Sequence, residues 1–137
     1  MIDLTKSLEE LEGDAWGQPS YDSHVVTTAH RLRRKPLREL TVEDLRLMLG
    51  QRIGVTLLLP LALDTLEANP FSEGDFYPGD LLSACVRLNA DTLRSSPDLR
   101  RRLCAVAQRA LREIDVSEDV PRDLRESIGA FLQWAAV

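Results

Sequence analysis

The chain has 137 residues, 44% hydrophobic and 28% charged, which suits one water-soluble domain able to bury a core. A net charge of -5 disfavours general attraction to nucleic acid. The opening run MIDLTKSLEELEGD has neither the positive nor the apolar segment of a signal peptide, so the expected location is cytoplasmic.

Leu4, Leu8 and Leu11 lie at i, i+4 and i+7, one face of a short helix that Gly13 ends. Asp14–Asp22 reads as a loop punctuated by Gly17 and Pro19, with Trp16 and Tyr21 pinning it to the body. Ser23 is the expected N-cap of a helix over Ser23–Lys35 that turns Val26, Ala29 and Leu32 or His30 inward. Arg31, Arg33, Arg34 and Lys35 complement the dipole at its end, and Pro36 stops it.

Thr41 and Asp44 have the spacing of a capping box, opening a helix with Val42, Leu45, Met48 and Leu49 inward and Gly50 and Gly54 at its close. Val55–Leu66 follows, VTLLLPLALDTL, apolar around most of its circumference and therefore expected at the centre of a bundle. It is too short to span a bilayer. Pro60 is accommodated if the helix begins just before it, in a first turn that loses no internal hydrogen bond.

The next segment, EANPFSEGDFYPGD, reads as a structured loop. No Lys or Arg occurs from Ile53 to Val86, so Asp64, Glu67, Glu73, Asp75 and Asp80 lack a counter-charge nearby in sequence. Asp80 or the turn before it starts a helix through about Leu88, with Leu81, Leu82, Cys85 and Leu88 apolar. Ser95 or Ser96 caps the following helix with Pro97 first in it. Leu99, Leu103, Val106, Ala107, Ala110 and Leu111 form its stripe, and Arg100, Arg101, Arg102, Arg109 and Arg112 take the solvent side. Pro121 begins a last helix with Leu124, Ile128, Phe131, Leu132 and Ala135 inward. No period-two run of β-branched residues occurs, so the expected fold is all-α, a compact single-domain bundle of six or seven helices over residues 1–137.

Catalytic and metal chemistry find little to build on. His24 and His30, six residues apart, do not share a helical face. Cys85 and Cys104 match no metal motif and read as buried thiols. Gly74 and Gly79 follow no strand and have no phosphate-reaching Lys. Ser95 and Ser96 read as caps rather than nucleophiles. The expectation is no catalytic residue, no metal and no cofactor. Two alternatives stay open: a small helical enzyme using Glu73, Asp75 and Asp80, and a DNA-binding regulator using Arg31–Arg38, which has no interleaved aromatic platform.

An acidic loop carrying aromatics suits the binding of a basic protein. The acids give complementary potential, and Phe71, Phe76 or Tyr77 can anchor. The acidic candidates are Glu67, Glu73, Asp75 and Asp80, with a second group at Glu113, Asp115, Glu118 and Asp119 flanked by Arg112 and Arg122. The competing reading has Asp75 and Asp80 capping the following helix and the aromatics folded back on the core.

The run Arg33-Arg34-Lys35-Pro36-Leu37, then Leu40 to Arg46, Gly50-Gln51, Ile53-Gly54, Pro60 to Leu63, Asn69-Pro70 and Glu73 to Leu82 resembles the contact-dependent growth inhibition immunity proteins. The string GDFYPGDLL is its most specific part, and the N- and C-terminal thirds carry no comparable signature. The resemblance implies a cytoplasmic bacterial protein that binds and neutralises the toxic C-terminal domain of a delivered effector. Such toxins are often nucleases and hence often basic. It implies neither enzymatic activity nor a nucleic-acid or membrane partner. Binding residues do not carry over, because members bind different toxins and a shared motif can serve folding.

Overall fold

A computed structural model of the protein describes residues 2–17, 23–88, 90–114 and 121–135. The chain forms α1 (Leu8–Glu12), α2 (His24–Leu32), α3 (Val42–Gly50), α4 (Val55–Ala68), α5 (Asp80–Val86), α6 (Ala90–Arg94), α7 (Pro97–Glu113) and α8 (Arg122–Ala135). A 3₁₀ turn at Leu37–Glu39 joins α2 to α3. The described residues contain no β-strand, and the fold is an all-α bundle. The helix absent from the sequence reading is α6, whose five residues are too few to show a period.

Side-chain caps open α1, α2 and α3, whereas Ser96, at the expected N-cap of α7, makes no capping hydrogen bond with its side chain. Ser7 and Glu10 form a capping box at α1, and Gly13 closes it in the left-handed region at φ 65. The helix thus begins after Leu4, which is exposed and whose carbonyl accepts the Arg38 N–H instead. Ser23 accepts the Val26 N–H at α2, and Thr41 and Asp44 form the predicted box at α3. Burial pushes the Asp44 carboxyl up, but the Lys35 ammonium at 2.8 Å and the Thr41 N–H outweigh it and hold the carboxyl below its ordinary value.

Three local expectations are corrected. The second helix ends at Leu32 rather than Lys35, and Arg33 turns inward, with 2% of its surface exposed. Its guanidinium donates to the Glu12 carboxylate and the Asp14 carbonyl and lies 4.3 Å from the Trp16 ring centre. The loop is therefore pinned at Trp16, while Tyr21 lies outside the described residues. The end of α3 falls not to a glycine but to Arg52, which is left-handed at φ 59. The Ile53 N–H reaches the Met48 carbonyl and the Arg52 N–H the Leu49 carbonyl, the paired closure of a Schellman motif. Finally, α4 begins at Val55, so Pro60 lies inside the helix. The missing Pro60 N–H strands a carbonyl on Thr56, an exposed residue, and burial of the flanking leucines outweighs that loss.

Leu58, Leu59, Ala62, Leu63 and Leu66 make α4 a buried element, as its sequence predicts. It packs on α3, α5 and α7. The centre is shared with α5, which touches α3, α4, α7 and α8 and buries every residue but Ala84. Cys85 lies fully buried there, and burial pushes its thiol up to about 12, so it packs as a hydrophobe. The amphipathic α7 and α8 cover this pair with Leu103, Val106, Ala107 and Ala110 and with Leu124, Ile128, Phe131 and Ala135.

Leu63 is wholly buried. Leu63→Ala is expected to cost about 2–5 kcal/mol in denaturant unfolding. A loss under about 1 kcal/mol would contradict the central placement of α4.

Candidate functional site

Between α4 and α5 the chain must reverse and start a helix whose first residue, Asp80, is buried. A buried carboxylate needs hydrogen-bond donors. The loop supplies them. The Gly74 N–H donates to Asp80 Oδ1 at 2.7 Å and the Phe76 N–H to Asp80 Oδ2 at 3.1 Å. The competing expectation, that Asp75 and Asp80 cap the following helix, is not met: α5 has Gly79 at its N-cap and no side-chain cap, and the Asp80 side chain secures the loop before α5 instead.

Around this clasp the loop is tied at each step. Asn69 Oδ1 accepts the Phe71 N–H, the Gly79 N–H donates to the Phe71 carbonyl, and Glu73 pairs with Pro78 in an isolated antiparallel bridge. The two glycines have separate reasons. A Cβ on Gly74 would stand 2.5 Å from Glu43 Oε1, and Gly79 is left-handed at φ 92 with Leu124 packed against it. The GDFYPGD string therefore encodes a folding unit.

A second clasp comes from α3. Glu43 Oε1 accepts the Asp75 N–H at 2.9 Å while both carboxylate oxygens receive Arg46 at 2.6 Å. The Arg46 hydrogen bond holds the Glu43 carboxyl below its ordinary value. Arg46 in turn lies 4.3 Å from the Phe76 ring centre. Phe76 is 66% exposed even so, the most exposed large hydrophobic side chain described.

These contacts redistribute the acidic candidates. Glu73, Asp75, Phe76, Tyr77 and Asp80 come together in one loop, with Glu73 and Asp75 exposed, Tyr77 half-buried and Asp80 enclosed. Glu67 lies at the end of α4 and has a counter-charge after all: Arg102 of α7 reaches it at 2.7 Å and Asp64 at 2.7 Å. That hydrogen bond lowers the Glu67 carboxyl. Glu113 pairs with Arg109 at 3.1 Å, and Arg109 also donates to the Glu67 backbone carbonyl, tying α7 to the end of α4. Asp115, Glu118 and Asp119 lie outside the described residues.

The alternative readings lose ground for the same reason. Asp80 has both oxygens committed to loop amides. The Arg31–Arg38 segment is not a continuous cationic face, since Arg33 is buried, Lys35 binds Asp44 and Arg34 approaches Glu9 at 3.6 Å. Among the described residues no group of three His, Cys, Asp or Glu could hold a metal ion, and no helix is long and apolar enough to cross a membrane. Sequence reasoning missed Glu43 and Arg46. Their i, i+3 spacing marked a surface pair, but its grip on a loop 32 residues away had no local signal.

Residues 10–103 match the model of a family described as CDI immunity proteins, a span containing both clasps and the loop. Among curated proteins none matches the chain.

Asp80→Ala removes the acceptor of two amides in a closed loop and is expected to cost about 2–4 kcal/mol in thermal or denaturant unfolding. A cost below about 0.5 kcal/mol would show that the loop is held by other means.

Proposed function

The chain belongs to the CDI immunity proteins, and from that premise we propose that it protects its cell by binding the cognate toxin domain directly, through the loop at residues 73–77. The family membership carries an immunity function against a CDI toxin. The observation behind the choice of loop is Phe76, two-thirds exposed although its backbone N–H is tied to Asp80. A rigid, exposed aromatic loses little entropy on docking and suits an interface anchor. Glu73 and Asp75 flank it, exposed and without an ion pair among the described residues. They favour a basic toxin, as a nuclease commonly is. Asp80 acts as a positioning residue behind them. Glu67 and Glu113 are less suited to direct contact, because each would have to give up an arginine.

In this reading the protein works stoichiometrically in the cytoplasm, as one unit over residues 1–137, and performs no catalysis. The test is calorimetric titration with the C-terminal domain of the cognate effector. Phe76→Ala and the double variant Glu73→Lys/Asp75→Lys should each weaken binding by at least about tenfold with little change in melting temperature, the charge variant most at low salt. Wild-type affinity in both variants would move the interface to another face.

A further inference from the structure

Beside the loop lies a groove of about 420 Å³, walled by Phe76 and Tyr77 on one side and by the ends of α3 and α5 on the other. Its charge runs against that of the protein. Arg46, Arg52 and Arg87 all line it, and Asp80 is the one acid that does. Asp80 is enclosed and engaged by amides, and Arg46 is matched by Glu43. That leaves Arg52 and Arg87, both exposed and neither in an ion pair among the described residues. Arg87 is nonetheless held, its Nε donating to Ser127 Oγ at 3.3 Å.

Arg52 adds an independent observation. It occupies the left-handed position that closes α3, where glycine or asparagine is usual, although Gly50 lies two residues earlier and Gly54 two later. A non-glycine residue kept in a strained conformation marks a side chain wanted where it is. Here that place is the groove wall.

We propose that this groove receives an acidic segment of the toxin, an Asp or Glu side chain docking between Arg52 and Arg87 beside the Phe76 ring. The proposal rests on the toxin-binding reading above and deepens it. The loop offers carboxylates on one side and the groove offers guanidinium groups on the other, so the toxin must present a basic patch next to an acidic projection. Alternating charge of this kind sets register and excludes wrong partners.

The probe is the purified C-terminal domain of the cognate effector, titrated against the full chain. Arg52→Gly relieves the backbone strain, so its melting temperature should hold or rise, and Arg87→Gln keeps hydrogen-bonding capacity at Ser127. The double variant should nevertheless bind at least about tenfold more weakly at low salt, the gap narrowing as salt rises, while Arg52→Lys should bind nearly as well as wild type. Arg87→Glu should regain affinity for a toxin carrying one particular exposed Asp or Glu changed to Lys. Wild-type affinity in the Arg52→Gly/Arg87→Gln protein overturns the groove while leaving the loop interface standing. So does failure of every acid-to-Lys toxin variant to rescue Arg87→Glu, or tight binding of a transfer-RNA probe by wild type that the double variant loses. If wild type itself does not bind the effector domain, the underlying reading falls and the groove proposal with it.

Discussion

A carboxylate moved out of water must find donors, and in this fold that requirement shapes the chain on both sides of Asp80. The residue opens α5, a helix that packs against α3, α4, α7 and α8, so it cannot be displaced without disturbing the core. Its oxygens need N–H groups, and the preceding loop curls back to provide those of Gly74 and Phe76. That curl dictates a glycine where Glu43 comes close and another where the chain turns left-handed into α5. It also leaves Phe76 with its backbone fixed and its ring outside. Exposure of a large aromatic follows from how the carboxylate is satisfied.

The Glu43–Arg46 pair extends the same logic to α3. Exposed ion pairs contribute little to stability, but this one is partly sheltered and does three things at once: it caps the Asp75 amide, supports the Phe76 ring and places a cation at the mouth of the groove. Elsewhere the arginines of α7 neutralise Asp64, Glu67 and Glu113. The net charge of -5 is thus a poor guide to where the protein attracts a partner. Around Phe76 the surface carries exposed acids at Glu73 and Asp75 in its own loop and exposed bases at Arg52 and Arg87 in the groove it lines, none of them in an ion pair among the described residues.

What could be read in the sequence was what depends on near neighbours. The Thr41–Asp44 box, the Ser23 cap, Pro97 at the head of α7 and the apolar stripe of α7 rest on residues three or four apart, and all appear as expected. The apolar character of α4 foretold its burial, though Pro60 misled about its start because propensity yields to packing there. Arg33 looked like one of several solvent-facing cations, and only the arrival of Glu12 and Trp16 from α1 and its loop makes it a buried anchor. Arg102 pairs with acids 35 and 38 residues away, a separation at which spacing carries no signal. Arg52 was hidden by its neighbours, since two glycines nearby looked better suited to end α3. The aromatic loop was visible as a candidate, while its basic companion surface was not, because that surface is assembled from three separate elements.

The central claim is that the clasped loop and the groove beside it form one surface that meets the toxin. Backbone-amide NMR shifts of the labelled protein, recorded with and without the unlabelled effector C-terminal domain, test it most directly. The account predicts that the largest changes fall together at residues 73–77, 50–53 and 84–87. Changes confined to α2 or α8, with those three segments unmoved, would contradict it.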